Sequence, residues 1–282
     1  MHDTVKPLPG TRELLEVLLA FDTSPMGVDH QACVGWLCER LGALGFMCRR
    51  HVPFEGAPEV IEAHRPARGL AGHVVLYGHY DVASFHPRAL TEKEGRWFAP
   101  GVGDNKGPLV ARLVALAALA RTPALTWFLQ GEEETGSRAA FQVLSERLRQ
   151  LEATLWLDET GYHDHEDGTL RLIARTLGPG REDAPPDAAM GALLEALRVL
   201  AGRWGIGARL EVRGLNKAAV QGGCPFNWSL PVGARYLALG INDSRTRIHG
   251  ARESVPLWTF PLHAEQLQTV FQWVDQVASG QP

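Results

Sequence analysis

A chain of 282 residues with 45% hydrophobic residues can bury a sizeable core in one large domain or two small ones. Its formal net charge of −4 and its scattered Lys and Arg residues argue against nucleic acid as a partner. No apolar stretch is long enough to span a membrane, and Asp3, Pro7 and Glu13 interrupt the N-terminal region where a signal peptide needs an apolar core. We therefore expect a cytoplasmic protein with no membrane partner.

The hydrophobic pattern switches between helical and strand periodicity along the chain. It predicts helices over 11–21, 29–44, 108–120, 138–150, 187–201 and 262–278, and strands over 46–53, 72–77, 124–130, 153–158, 169–175 and 235–240. Strands that alternate with helices and are apolar on both faces favour a mostly parallel sheet covered by helices on each side. The expected architecture is a three-layer α/β/α domain.

Polar side chains stand next to two of these segments at characteristic spacings. The predicted strand GHVVLY runs into GHYDV, where His79 and Asp81 are two residues apart and project from the same side of an extended segment. Asp104 lies in the glycine-rich loop GVGDNKGP, before the helix that Pro108 can open. Taken alone, the first motif is also typical of a surface pair and the second of a tight turn with a capping aspartate. The loop lacks the spacings of nucleotide-binding motifs.

Further acidic and imidazole side chains follow later strands. Three consecutive glutamates stand in LQGEEETGS, Asp158 ends ATLWLD, and His249 lies in the polar loop INDSRTRIHGARES. Because ligands bind at the carboxyl edge of an open α/β sheet, we expect these groups to meet there. Imidazoles and carboxylates together favour zinc, manganese or cobalt, and two cations can share one carboxylate.

The order of the motifs GHYDV, GVGDNKGP, GEEETGS, WLDE and IHGARES resembles the co-catalytic metallopeptidase family of aminoacylase, glutamate carboxypeptidase, succinyl-diaminopimelate desuccinylase and carnosine dipeptidase. The resemblance covers 11–178 and, more loosely, 187–278, and DNKGP and EEETGS are nearest to the dipeptidase branch. It implies a catalytic domain of the zinc-peptidase type and hydrolysis of an amide bond in a small peptide or N-acyl amino acid.

Carried over by position, the resemblance implies two divalent cations bridged by Asp104, with zinc expected first and manganese or cobalt as alternatives. His79 and Asp158 would complete one site, and Glu134 and His249 the other.

The same resemblance implies roles for the residues around the ligands. Asp81 would orient His79, and Glu133 would be the general base acting on a metal-bridging water. Glu132 is left as an extra carboxylate, and the peptide bond after Asp104 is expected to be cis.

The chain departs from the family in one large respect. Family members insert a lid and dimerisation domain between the fourth ligand and the last histidine, but the interval from Asp158 to His249 has no room for a lid of about 100 residues. The cluster GPGREDAPPD at 178–187 marks the expected insertion point. We therefore expect a single catalytic domain over 1–282 and a monomer.

Substrate contacts are less determined by the sequence. Arg175, Cys224 and Asn227 are candidates, although structural roles are also compatible with them, and the same is true of Asn216, Lys217, Arg245 and Arg247. The four cysteines form no CxxC pair, so we expect free thiols rather than a disulfide or a cysteine metal site.

Two classes of function remain open on these residues. The first is an amidohydrolase, in which dipeptidase or aminopeptidase action competes with deacylation. The second is a binding or regulatory protein that retains the metals without catalysis, which the presence of Glu133 argues against.

Overall fold

The computed structural model describes residues 6–85, 89–159, 162–164, 169–180, 183–211 and 224–280. Its helices are α1 (Thr11–Ala20), α2 (His30–Ala43), α3 (Lys106–Ala118), α4 (Arg138–Arg147), α5 (Ala188–Arg203), α6 (Pro225–Ser229) and α7 (Thr259–Ala278). Its strands are β1 (Met47–His51), β2 (Val60–Arg65), β3 (Gly69–His79), β4 (Thr91–Lys93), β5 (Arg96–Phe98), β6 (Thr122–Gln130), β7 (Leu155–Asp158), β8 (Tyr162–Asp164), β9 (Thr169–Leu177), β10 (Asp183–Ala184), β11 (Gly207–Glu211), β12 (Arg235–Ala238), β13 (Asn242–Asp243) and β14 (Ser254–Pro256).

One large sheet organises the described part of the chain. Its strands follow the order β1-β2-β6-β3-β7-β12-β9-β8-β13, with β10 and β11 also paired to β9. The central strands β6, β3, β7 and β12 run parallel, whereas β1 pairs antiparallel with β2, β2 with β6, and β9 with β12. Three shorter strands form a second sheet in the order β14-β5-β4.

Helices cover both faces of the large sheet, and the alternation of side chains along β3 shows how. Val74 and Leu76 point into a core shared with α1, α2, α3, α5 and α7. Val75 and Tyr77 point into a second core shared with α4 and α6. Successive residues of a strand face opposite sides, so an apolar run such as HVVLY supplies both layers. The predicted α/β fold with a mostly parallel central sheet is confirmed.

The predicted elements appear with small changes in their bounds. Helix α3 begins two residues before the predicted start and α7 three before, while β3 extends to both sides of the predicted 72–77. The short strands β4, β5, β8, β10, β11, β13 and β14, the strand β2 and the helix α6 were not predicted. All four cysteines are free thiols.

Arg112 of α3 ties the carboxyl ends of the central strands together. Its guanidinium is fully buried and donates to the backbone carbonyls of Tyr77 at 2.6 Å, Asp158 at 2.6 Å and Leu239 at 3.3 Å. These three carbonyls lie on β3, at the end of β7 and just after β12. A single side chain therefore fixes the three strand ends from which the candidate site is built.

Among the described helices, none combines the length and the apolar character needed to cross a lipid bilayer.

The carboxylate of Glu62 on β2 is buried and paired, and this makes stability depend on pH. Arg147 donates to it at 2.7 and 3.0 Å, and His51 Nε2 lies at 2.8 Å. Burial alone would raise the pKa of Glu62, but the hydrogen bonds to His51 and Arg147 outweigh it and lower the pKa to about 2.

We expect the ion pair at Glu62 to stabilise the fold at neutral pH by about 2 kcal/mol and to lose this contribution as the pH falls from about 4.5 towards 2. The reason is that the unfolded carboxylate binds its proton first. Urea unfolding of wild type and Glu62→Gln should therefore differ at pH 7 and converge in acid. The exposed Glu55→Gln is the control, and a Glu62→Gln difference that does not change with pH would contradict the assignment.

Candidate metal and catalytic site

The predicted site residues stand at the carboxyl ends of parallel strands and in the loops that follow them. His79 ends β3, Asp158 ends β7, and Glu133 and Glu134 begin a short 3-10 turn after β6. Since parallel strands end at the same edge of the sheet, residues far apart in sequence reach one place.

Asp104 lies between two imidazoles. Its Oδ1 is 2.9 Å from Nε2 of His79, and its Oδ2 is 3.2 Å from Nε2 of His249. Its peptide bond to Asn105 is cis, as predicted. The hydrogen bonds to His249 and His79 hold the pKa of the Asp104 carboxyl below its usual range although burial opposes this. The two oxygens of one carboxylate thus face two different histidines, which is the arrangement that a bridging ligand requires.

Asp81 connects the two halves of this arrangement. Its Oδ1 lies 3.2 Å from Nδ1 of His79, and its Oδ2 accepts the backbone N–H of Glu134 at 3.0 Å. Burial lowers the pKa of His79, but Asp104 and Asp81 outweigh it and raise the pKa well above its usual value. A carboxylate on Nδ1 fixes the orientation of the ring and leaves Nε2 directed at Asp104.

Glu134 and His249 form the second half. Nε2 of His249 is 2.9 and 3.0 Å from the two carboxylate oxygens of Glu134. One ligand atom from each of Asp104, Glu134 and His249 can be chosen so that all lie within 4.8 Å of one another. Burial and the charge of Asp104 raise the pKa of Glu134 to about 7. The pKa of His249 is raised to about 9, mainly by its hydrogen bond to Asp104.

The first glutamate of the run EEE has a structural partner. A carboxylate oxygen of Glu132 accepts the backbone N–H groups of Ala139 and Ala140, the latter at 3.4 Å, in the first turn of α4. A carboxylate there satisfies N–H groups that lack an intrahelical partner and interacts favourably with the helix dipole.

Glu133 differs from both of its neighbours. It is partly buried, and among the described residues its side chain makes no hydrogen bond. Burial raises its pKa, the charge of His79 opposes this, and the carboxylates of Asp104, Asp81 and Asp158 add to it. The middle carboxylate of the three is therefore the one with its oxygens uncommitted next to the histidines.

Asp158 is placed differently from the other predicted ligands. It is fully buried, and its Oδ2 accepts from the hydroxyl of Tyr236 at 2.6 Å, Nδ2 of Asn227 at 3.5 Å and Sγ of Cys224 at 3.7 Å. Its Oδ1 accepts the backbone N–H of Glu159 at 2.8 Å. Both oxygens are thus occupied by protein donors.

The strand pattern accounts for this position. Asp158 has the same parity on β7 as Trp156, which packs with Phe226 and Tyr236 in the core beneath α6. Its side chain consequently points towards α6.

Glu159, the next residue, differs from Asp158 because one of its carboxylate oxygens lacks a protein donor among the described residues. It is 7% exposed, and its Oε2 is buried with no hydrogen-bond partner among the described residues. Burial and the charge of Asp158 raise its pKa well above the usual value, while the charges of His79 and Arg112 oppose the shift. Sequence reasoning missed this residue, although the pair of acids in WLDE was the available signal.

The three candidate substrate contacts lie around Asp158. Arg175 is 3% exposed, places its guanidinium 4.1 Å from the ring centre of Tyr236, and donates to Oδ1 of Asn227 at 2.8 Å. Asn227 and Cys224 are half-buried and donate to Asp158 as described. Burial raises the pKa of the Cys224 thiol well above its usual value.

The four additional candidates are distributed differently. Arg245 and Arg247 are exposed, whereas Asn216 and Lys217 lie outside the described residues.

Two cavities open beside the site. One of about 130 Å³ is lined by Asp104 and His249 together with Val82, Ser84 and Ala251. A wider one of about 650 Å³ shares Pro100, Ala251 and Glu253 with the first and extends along β4 and β5. Space for a small molecule therefore exists directly next to Asp104 and the imidazole of His249.

The donor set fits divalent cations. Imidazole nitrogens and carboxylate oxygens are ligands for zinc, manganese and cobalt, and ligand atoms of three such residues already converge. The buried, unpartnered oxygen of Glu159 points the same way, because such an oxygen is costly unless a donor or a cation satisfies it.

Comparison with known proteins places the chain in a family. The model of "Peptidase family M20/M25/M40" matches residues 75–272. Cysteinylglycine-S-conjugate dipeptidase of Corynebacterium striatum is 30% identical over 119 residues, which cover 38% of this chain and 26% of that enzyme. Succinyl-diaminopimelate desuccinylase of Verminephrobacter eiseniae is 30% identical over 149 residues, which cover 43% of this chain and 36% of that enzyme.

A solved structure agrees in fold. The M20 family metallo-carboxypeptidase Sso-CP2 of Sulfolobus solfataricus matches with a TM-score of 0.73 at 13% identity, covering 95% of this chain and 100% of that one. The matches span only 26% and 36% of the length of the two curated relatives. The family model matches well over half of the chain, including every motif from GHYDV to IHGARES, and the protein belongs to the peptidase family M20/M25/M40.

Proposed function

We propose that the protein is a metal-dependent hydrolase that cleaves an amide bond in a small peptide or an N-acyl amino acid. The observation that carries the proposal is the position of Asp104, whose two oxygens contact His79 and His249 while the uncommitted carboxylate of Glu133 lies beside them. This geometry suits two cations that share one carboxylate, with a base next to them.

The proposed ligands divide into two sets around Asp104. His79 belongs to one set, and Glu134 and His249 to the other. For the remaining place beside His79 we favour Glu159 over Asp158, because the oxygens of Asp158 are engaged by Tyr236, Asn227, Cys224 and a backbone N–H, whereas one oxygen of Glu159 has no partner among the described residues. Zinc is the first expectation, and manganese and cobalt are the alternatives.

The chemistry follows from the residues around the site. When bound, such cations act as Lewis acids that polarise a carbonyl and lower the pKa of water. Glu133 accepts the proton of the attacking water and returns it to the departing amine, since its side chain has no hydrogen-bond partner among the described residues. Asp81 holds the ring of His79, and the small cavity beside Asp104 and His249 receives the substrate.

The names of the relatives narrow the substrate to a class. One is a dipeptidase and the other a desuccinylase, so peptide cleavage and deacylation are both represented. A requirement for a free α-amine would indicate a dipeptidase or aminopeptidase, and a requirement for an acyl group with a free carboxylate would indicate a deacylase.

We also propose that the chain is one catalytic domain without a lid, and hence a monomer. In the described part of the interval from Asp158 to His249, strands β9, β11, β12 and β13 join the large sheet and α5 packs into its core. In the expected insertion region near 178–187, β10 pairs with β9, and Asp187 caps α5 through the backbone N–H of Met190 at 2.8 Å. The cytoplasmic location and the absence of nucleic-acid and membrane partners stay predictions from the sequence.

The second candidate is a metal-retaining binding or regulatory protein. It is favoured by the burial of Arg175, a candidate substrate contact that instead bonds Asn227 and lies over the ring of Tyr236. The uncommitted Glu133 favours the hydrolase, because a binding protein has no use for such a carboxylate beside the cations.

The test is metal analysis combined with a substrate panel. We expect about two divalent ions per chain and hydrolysis of dipeptides or N-acyl amino acids that a chelator abolishes and added zinc, manganese or cobalt restores. Metal binding without turnover on the panel would favour the second candidate. A folded protein that binds none of the three metals would overturn both.

A further inference from the structure

The loop that carries Asp104 is held by one carboxylate from a distant segment. Glu253 accepts the backbone N–H of Gly101 at its Oε2, at 2.7 Å. Its Oε1 accepts the N–H groups of Gly103 at 2.6 Å and of Asp104 itself at 2.9 Å. Glu253 is 5% exposed, so these bonds are shielded from water.

The same segment contacts the loop at a second point. Nδ2 of Asn242 donates to the carbonyl of Gly103 at 3.0 Å. A Cβ atom on Gly103 would lie 2.4 Å from Cγ2 of Thr246 and 3.1 Å from both Oδ1 of Asn242 and Oε1 of Glu253. The loop is therefore packed directly against the segment, and glycine is required at position 103 for this approach.

The segment is itself anchored by a buried ion pair. Arg96 of β5 donates to both oxygens of Asp243, at 2.6 and 2.9 Å, and to the hydroxyl and carbonyl oxygens of Ser254, at 3.0 and 3.1 Å. Asp243 and Ser254 are the chain neighbours of Asn242 and Glu253. One guanidinium thus fixes both residues that hold the Asp104 loop.

We infer that Glu253 is a positioning residue for Asp104, and that it sets the direction in which the two Asp104 oxygens face His79 and His249. The inference rests on the proposed metal centre. A bridging carboxylate must meet two cations about 3.5 to 4 Å apart, so a small rotation of its backbone separates it from one of them. Glu253 accepts the backbone N–H groups of Gly101, Gly103 and Asp104, and so determines that rotation.

The presence of a carboxylate at position 253 also supports the inference. Another carboxylate next to Asp104 adds repulsion between like charges, which an apolar residue would avoid. Only a carboxylate offers acceptors on both oxygens for three N–H donors. Glutamine has one acceptor oxygen, and its NH₂ group would meet an N–H group of the loop.

The experiment compares Glu253→Gln with Arg252→Gln, which changes the exposed neighbour in the same segment. The readouts are the zinc and cobalt dissociation constants, by competition with a chelator, and the visible spectrum of the cobalt protein. Partners that orient metal ligands typically contribute about 10- to 100-fold in metal affinity. We expect a loss of that size and an altered spectrum in Glu253→Gln, and neither change in Arg252→Gln.

A folded Glu253→Gln protein with wild-type affinity and spectrum would overturn this inference alone, whereas a wild type that binds no metal would remove the proposed centre and the inference with it. If Glu253→Gln does not fold, Gly103→Ala pushes the loop away from Thr246, Asn242 and Glu253 and should give the same loss. Hydrogen exchange of the wild type decides independently of both variants: slow exchange of the Gly101, Gly103 and Asp104 amides supports the inference, and rapid exchange in the folded protein overturns it.

Discussion

Replacing Glu133 with glutamine is expected to lower kcat by about 10²- to 10⁴-fold and to leave the metal content unchanged. Glutamine keeps the shape of the side chain but cannot accept the proton of the attacking water. The side chain of Glu133 makes no hydrogen bond among the described residues, so the substitution should change the free energy of unfolding little. Steady-state kinetics, metal analysis and urea unfolding on one preparation test the three expectations together.

The neighbouring carboxylate provides the matched control. Glu132→Gln weakens the bonds to the first turn of α4 and should cost about 1 kcal/mol of stability, with kcat close to wild type. Glu133→Gln should therefore lower the activity and Glu132→Gln the stability. Equal losses of activity in both would mean that the whole turn, rather than one base, is being disturbed.

Glu159→Gln and Asp158→Asn are expected to have different effects, because we propose Glu159 as a metal ligand and Asp158 as a structural carboxylate. Each substitution removes one negative charge and keeps the size of the side chain. Glu159→Gln should weaken metal binding by more than about 100-fold, since even residues that merely support a ligand contribute 10- to 100-fold. Asp158→Asn should retain both metals and lose about 1 to 3 kcal/mol of stability, because Tyr236, Asn227 and a backbone N–H depend on the aspartate oxygens.

Metal analysis after dialysis against a graded chelator series, paired with urea unfolding, distinguishes the two variants. The opposite pattern, with one metal lost from Asp158→Asn and both kept by Glu159→Gln, would restore Asp158 as the ligand. The cysteine substitution Cys224→Ala serves as a reference, since it removes a weak donor to Asp158 and leaves the carboxylate in place.

The sequence predicted the fold where local periodicity and burial agree. The buried positions of strand β3 are mostly apolar, and so are those of helix α3 apart from Lys106 and Arg112, so their pattern is visible in a single chain. Strand β2 was missed because Glu62 and Arg65 are buried within it. Their partners, Arg147 for Glu62 and Thr122 for Arg65, are far away in sequence, so nothing local marks the segment as a strand.

The same distinction applies to the site. The order of the motifs carried the family resemblance, and that resemblance implied His79, Asp104, Glu134 and His249, which the structure brings together. Which acid of the pair WLDE faces the site depends on the parity of β7 and on the donors that α6 and β12 supply, and neither is encoded near that motif.

The role of Glu253 is still less visible from sequence, since it exists only through contacts with residues about 150 positions earlier. The neighbouring residues Arg252 and Ser254 do not indicate that Glu253 accepts hydrogen bonds from a distant backbone. Non-local contacts of this kind decide the geometry of the site after the motifs have decided its chemistry.

Arg112 gives the site a further property. Because one buried guanidinium holds the carbonyls at the ends of β3, β7 and β12, those ends cannot separate one at a time without leaving its donors unsatisfied. Local opening of the floor of the site therefore breaks these bonds and is costly. Loss of activity on heating and loss of the core should be one cooperative event with one midpoint.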